Sequence, residues 1–160
     1  MVKELLENAI DAKSGRIIIE LESAGKKLIR VTDDGVGIPP DELKLAFEKH
    51  STSKINSITD IYRLSTLGFR GEALASIAAV ARVECISCDS KHREGKRLVL
   101  EGGKVISFGD IGCARGTTIK VKDLFYNLPA RYKYLKSDQI ELTHIMDTVT
   151  QFIIYKTKII

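Results

Sequence analysis

No stretch of this 160-residue sequence approaches the roughly 18 uninterrupted apolar residues of a membrane-spanning helix, so no membrane partner is expected. The start, Met1-Val2-Lys3-Glu4, lacks the basic-then-apolar pattern of a secretory signal. Together these absences make the expected compartment cytoplasmic in a prokaryote and nuclear in a eukaryote. Internal repeats and low-complexity tracts are missing too, and 44% hydrophobic with 29% charged residues excludes a disordered tail or a fibrous rod. Cysteine is scarce, with three in all. Cys85 and Cys88 form a C-x-x-C, but they fall in Val83-Glu84-Cys85-Ile86-Ser87-Cys88, which reads as a strand, where an i,i+3 pair points to opposite faces. No second ligand pair follows, and a redox motif needs a helix N-terminus to lower the thiol pKa, so buried thiols are expected, with Cys113 a lone thiol in a glycine-flanked loop. Also absent are G-x-x-x-x-G-K-[ST] and G-x-G-x-x-G, so any nucleotide site is neither a P-loop nor a Rossmann turn. Charge nearly balances at 25 basic against 21 acidic residues; a net +4 permits an anionic partner without requiring one.

What is present reads as one domain that can bury its own core. Val2, Leu5, Leu6, Ala9 and Ile10 put a helix over 2–12. Strands at 16–21 and 27–32, joined at Ser23-Ala24-Gly25, read as a hairpin for that helix to pack on. After the loop Asp33-Asp34-Gly35-Val36-Gly37-Ile38-Pro39-Pro40, a second helix is expected from Asp41 to Lys49. Residues 50–70 carry no clear period and suggest a functional loop or lid. An alanine-rich helix follows over 71–80, then strands near 82–89, 96–101, 104–108 and 116–122, and an irregular stretch over 123–136. Asp138 is expected to cap a last helix to Tyr155 with Ile140, Leu142, Ile145, Met146, Val149, Phe152 and Ile153 on its apolar side. Short hairpins among helices favour an α+β two-layer sandwich, helices on a mixed, mainly antiparallel sheet, over a doubly wound sheet.

Three places could carry chemistry. Glu4, Asn8 and Asp11 share one arc of helix 2–12, where a carboxylate can orient a water and an amide oxygen can hold Mg²⁺; any solvated helix face also looks this way. Asp33 ends a strand and is followed by Gly35 and Gly37, which let backbone pass close to a ligand, while the carboxylate can accept from an exocyclic amine. The glycine-bracketed run Gly68-Phe69-Arg70-Gly71 leads into a helix whose N-terminal N–H groups suit phosphate, with Ser51-Thr52-Ser53-Lys54 as further donors. Gly116-Thr117-Thr118, opening a strand, is weak by itself.

In their order and spacing these motifs resemble the N-terminal ATPase region of the MutL family of DNA mismatch repair proteins, within the GHKL ATPase superfamily, over nearly all 160 residues. Val2–Asn8 with Asp11-Ala12, Asp33–Ile38, Gly68–Leu74 and Gly116–Thr118 are similar to the superfamily's boxes. The MutL branch is singled out by His50–Ile55, by Leu67–Ile77, and by Leu124-Phe125-Tyr126-Asn127-Leu128-Pro129-Ala130-Arg131.

The resemblance implies a slowly hydrolysing, Mg²⁺-dependent ATPase. Glu4 matches the general base and Asn8 the Mg²⁺ ligand. Asp33 matches the residue that reads the adenine amine, with Gly35 and Gly37 beside it. Thr52, Ser53 and Lys54 match an ATP lid spanning 50–70, Gly68, Phe69, Arg70 and Gly71 the phosphate loop, and Thr118 or its neighbour Thr117 the last nucleotide contact. It further implies a conformational switch whose partners are DNA, a mismatch-recognition protein of the MutS type and a second MutL-like subunit, as homo- or heterodimer. Arg63, Arg70, Arg131, Lys133 and Lys136 are candidates for positive potential, whereas Phe125 and Tyr126 read as packing residues. The alternatives are a nucleotide-binding interaction module without hydrolysis, or a GHKL ATPase of topoisomerase or chaperone type. A start without an N-cap, an apolar end at Ile153–Ile160 and the absence of the family's flanking parts suggest the core of a longer protein, with no nuclease site in this chain.

Overall fold

The apolar spacing at the start of the chain folds as helix α1 (Val2–Asp11), which buries Val2, Leu5, Leu6 and Ala9 and leaves Glu4, Asn8 and Asp11 partly exposed. The computed structural model describes residues 1–48 and 72–157. The expected lid and phosphate loop, with Thr52, Ser53, Lys54, Gly68, Phe69, Arg70 and Gly71, lie outside the described residues. Helix α1 ends at Ala12, after which Lys13 takes a left-handed φ of 57° and turns the chain into the sheet.

Six strands form that sheet: β1 (Ile17–Glu22), β2 (Leu28–Asp33), β3 (Arg82–Cys88), β4 (Gly95–Glu101), β5 (Lys104–Ile111) and β6 (Gly116–Lys122), in the order β1-β2-β6-β3-β4-β5. Every pairing among the described residues is antiparallel, in keeping with the expected α+β sandwich on a mainly antiparallel sheet. Register explains the core. Ile29, Val121, Val83 and Leu100 lie side by side across four strands, and Val31, Ile119, Cys85 and Leu98 form the next row. All eight are buried, against the apolar side of α1 and against Ile77 and Ala78 of α2 (Ala73–Ala79). Each such side chain contributes roughly 1.5–3 kcal/mol if fully withdrawn from water.

Alternation puts the intervening residues on the other face, where charges pair across strands. Glu84 accepts from Lys120 at 2.9 Å and Arg97 at 3.2 Å, Arg30 pairs with Glu20, and Arg82 reaches Asp123 at 2.8 Å. Burial works to raise the Glu84 pKa, but the hydrogen bonds from Arg97 and Lys120 outweigh it and hold the carboxyl below its ordinary value. The same alternation separates the cysteines: Cys85 faces the core, and Cys88 points to the opposite side of β3. Burial pushes the Cys85 thiol well above the ordinary range.

Several local expectations are corrected. Residues 41–48 are turns followed by a 3-10 segment, Leu45–Phe47, not an α-helix, because i→i−4 bonds at Leu43 and Ala46 give way to i→i−3 bonds at Phe47 and Glu48. Leu43 and Phe47 still reach the core from these turns. The last helix, α4 (Asp138–Thr157), directs only Ile145, Val149 and Phe152 at the core; Ile140, Leu142, Met146 and Ile153 are exposed. Asp138 is its first helical residue and pairs with Lys26 at 2.7 Å, while the Ser137 carbonyl accepts the Glu141 N–H. Within 123–136 a short helix, α3 (Pro129–Tyr132), forms. No helix among the described residues is long and apolar enough to cross a membrane.

Candidate nucleotide site

The apolar rows of the sheet end in a polar one. One register step beyond Val31, Ile119 and Cys85 come Asp33, Thr117 and Ser87, on the same helix-covered face, with Lys96 next on β4. Ser87 is nearly inaccessible and Thr117 is buried, so their hydroxyls need partners. They find each other at 2.9 Å, and the Ser87 Oγ also donates to the Gly116 carbonyl and accepts the Ile38 N–H at 2.8 Å. That last bond straps the loop after β2 to the end of β3.

The loop approaches closely enough to require glycine. Gly37 has φ +74°, and a Cβ there would lie 2.1 Å from the Cys88 carbonyl oxygen. Gly116 has φ +118°, and a Cβ there would lie 2.0 Å from the Asp33 carbonyl oxygen. The two consecutive aspartates divide the work. Asp34 is exposed, and its Oδ1 accepts the Gly15 and Arg16 N–H groups at 2.8 and 2.9 Å, which tie the end of the α1 turn to the loop. The Arg16 and Gly15 bonds keep its pKa below the ordinary value.

Asp33 is partly buried, and its Oδ1 accepts the Gly35 N–H at 2.8 Å and the Ser14 hydroxyl at 3.2 Å. Burial raises its pKa, and the hydrogen bonds from Gly35, Ser14 and the Thr117 N–H oppose that shift only in part. A partly desolvated carboxylate at the fixed end of a strand is suited to accept from a neutral N–H group.

Of the two candidate threonines, the structure brings Thr117 beside Asp33. Thr118 points to the opposite face and donates to Thr32 Oγ1 at 3.2 Å. Glu4 and Asn8 lie on adjacent turns of α1, on the side away from the apolar stripe. Glu7 is a residue the sequence reading missed: it is only 4% exposed, pairs with Lys3 at 3.8 Å, and has its pKa raised by burial and by the charge of Glu4. Ser14, Ser87 and Arg115 were missed as well; the Arg115 Nε–H donates to the Gly35 carbonyl at 3.1 Å. Ser87 had a signal, since it continues the inward alternation of Val83 and Cys85 with a polar side chain.

Among the described residues no three His, Cys, Asp or Glu side chains converge to hold a metal ion. Asn8, partly exposed on α1, offers one amide oxygen of the kind a hard cation such as Mg²⁺ accepts.

A layered α+β domain with a D-x-G-x-G loop against an acid- and amide-bearing helix defines a class. The chain belongs to the histidine kinase-, DNA gyrase B- and HSP90-like ATPase family, whose model matches residues 1–101. Within that family the resemblance to MutL is borne out. The chain is 53% identical over 154 residues to DNA mismatch repair protein MutL of Clostridium botulinum (strain ATCC 19397 / Type A), a match covering 96% of the chain and 23% of that protein. It is 53% identical over 151 residues to MutL of Halothermothrix orenii, covering 94% of the chain and 23% of that protein. The structure of the Aquifex aeolicus MutL ATPase domain complexed with ADP superposes with a TM-score of 0.72 at 30% identity, over 94% of this chain and 52% of that one. The chain thus spans under a quarter of the length of the Clostridium botulinum and Halothermothrix orenii MutL proteins.

Proposed function

We propose that this chain is the ATP-binding and slowly hydrolysing part of a MutL-type DNA mismatch repair protein, in the prokaryotic cytoplasm or the eukaryotic nucleus. The observation that carries the reading is the partly buried Asp33, held by Gly35, Ser14 and Thr117 at the polar end of the core face beneath a glycine-bearing loop. There it accepts the exocyclic amine of adenine, and Gly37 lets the backbone lie against the ring. Further along α1, Asn8 supplies a ligand to Mg²⁺, and Glu4 acts as general base by orienting the attacking water. Bound Mg²⁺ supplies charge neutralisation at the phosphates. Positioning and charge then account for most of the rate, consistent with slow turnover.

ATP occupancy acts in this reading as a conformational signal, coupling a mismatch-recognition partner of the MutS type and a second MutL-like subunit to repair. For DNA, the supporting observation is the stretch after α3 begins: Arg131, Lys133 and Lys136 are exposed and have no ion pair among the described residues. Tyr132 and Tyr134 stand exposed between them, and Tyr126, also exposed, stacks its ring against the Arg82 guanidinium at 4.6 Å.

The test of the ATPase reading is a pair of variants. Glu4→Ala retains Mg-ATP binding by calorimetry and loses phosphate release by at least a hundredfold, while Asn8→Ala loses both. Normal turnover in Glu4→Ala removes Glu4 from the role of base.

A further inference from the structure

The turn that follows α1 holds both ends of the candidate site. Ser14 is 5% exposed, and its Oγ lies 2.6 Å from the Ala9 carbonyl and 3.2 Å from Asp33 Oδ1. A hydroxyl carries one proton, so two acceptors share it: the last full turn of the helix bearing Glu4 and Asn8, and the aspartate on β2. Gly35 closes over the same hydroxyl. A Cβ there would come within 2.7 Å of Ser14 Oγ, and the Gly35 N–H donates to the same Asp33 oxygen. Two donors from different elements therefore fix Oδ1, and with it the plane of the carboxylate and the place of Oδ2.

We propose that Ser14 is a positioning residue for nucleotide-base selectivity, orienting Asp33 toward the exocyclic amine of a purine and linking that reading head to the helix that carries the hydrolytic residues. The proposal rests on the reading that Asp33 accepts the base amine. The chemistry is specific. The Gly35 N–H at 2.8 Å and the longer, shared Ser14 contact at 3.2 Å together hold Oδ1, and a carboxylate whose plane is fixed discriminates an N–H donor from an acceptor or a bare C–H at the same position. Ser14 does not touch the nucleotide in this scheme. Its effect passes entirely through Asp33, so it vanishes for a base that has no amine to be read.

The experiment compares Mg-ATP with the Mg complex of purine riboside triphosphate, which lacks the 6-amino group. Dissociation constants are measured by calorimetry on the 160-residue chain and its Ser14→Ala, Ser14→Thr and Asp33→Asn variants. The expected result is that Ser14→Ala loses roughly threefold to tenfold of the preference for ATP, as the loss of one shared hydrogen bond implies. Its affinity for the amine-free nucleotide stays within about twofold of the parent, and Ser14→Thr, which restores the hydroxyl, recovers most of the preference. Ser14→Ala that keeps the full preference, or that weakens both nucleotides equally, overturns the proposal, the second outcome assigning Ser14 a structural role only. Asp33→Asn that leaves the preference intact, or a parent chain that shows none, overturns the underlying reading of Asp33 whatever Ser14 does.

Discussion

Replacing Gly37 by alanine tests the geometry of the site at its tightest point. The residue sits at φ +74°, where a side-chain-bearing L-residue costs about 1 kcal/mol or more. Its new Cβ would lie 2.1 Å from the Cys88 carbonyl oxygen and 2.6 Å from the carbonyl carbon, both backbone atoms, whereas real Cβ contacts stay beyond 3.0 Å. The loop and the end of β3 must separate by about 1 Å, a strain comparable to overpacking a core at roughly 1–3 kcal/mol. The separation also breaks the bond from the Ile38 N–H to Ser87 Oγ. The sum is roughly 2–5 kcal/mol, which for a domain of this size lowers the unfolding midpoint on the order of 10 °C. Differential scanning calorimetry without nucleotide gives that number, and titration calorimetry with Mg-ATP gives the second expected effect, an affinity at least tenfold weaker. Gly109→Ala is the control: a Cβ there meets nothing within 4 Å, and stability stays within about 0.5 kcal/mol. A Gly37→Ala chain that melts within about 1 °C of the parent and binds Mg-ATP equally refutes the close approach of loop and strand.

Two further outcomes follow from the charges. Because burial raises the Asp33 pKa, the folded state disfavours its ionised form; this group's contribution to stability is full below the unfolded-state value and is lost as pH rises through the raised folded value. Asp33→Asn should therefore melt no lower than the parent near pH 7 while losing Mg-ATP binding, and the advantage should shrink in melts at acid pH; a variant markedly less stable at pH 7 contradicts the sign. Lys133→Ala combined with Lys136→Ala should weaken duplex binding alike for any sequence and reduce the slope of log K against log salt by about 2, with ATP binding unchanged. An unaltered slope removes this stretch from the DNA contact.

Much of the fold was legible because it is local. The spacing of Val2, Leu5, Leu6 and Ala9 placed α1 to within a residue, and all six strands appear close to where alternation and turn residues put them. What failed was set by tertiary packing. Residues 41–48 carry helical spacing, and Leu43 and Phe47 do point inward, but they do so from turns. On α4 the apolar residues encircle too much of the helix for its buried side to be read from the sequence; the core accepts only the Ile145, Val149 and Phe152 line. The choice between Thr117 and Thr118 was likewise beyond the motif, because it depends on which parity of β6 faces the helices. In the sheet it is Thr117 that pairs with Asp33 and Ser87, while Thr118 lies on the opposite face. Ser14 gave no signal at all, since a serine after a helix reads as an ordinary turn residue until Asp33 is brought against it.

The position of the polar row has a physical reason. A carboxylate in the rows of Val31 or Ile29 would be fully enclosed by the apolar faces of α1 and α2, and its desolvation would exceed what two or three hydrogen bonds return. A carboxylate beyond the sheet would be hydrated and mobile, as Asp34 would be without the Gly15 and Arg16 N–H groups. At the last register step of β2, Asp33 is shielded enough for its hydrogen bonds to be directional and open enough to stay reachable. Its raised pKa follows from that burial, which the hydrogen bonds from Gly35, Ser14 and Thr117 offset only in part. Under the proposed reading of Asp33, substitutions there that improve the stability of the nucleotide-free chain impair nucleotide binding.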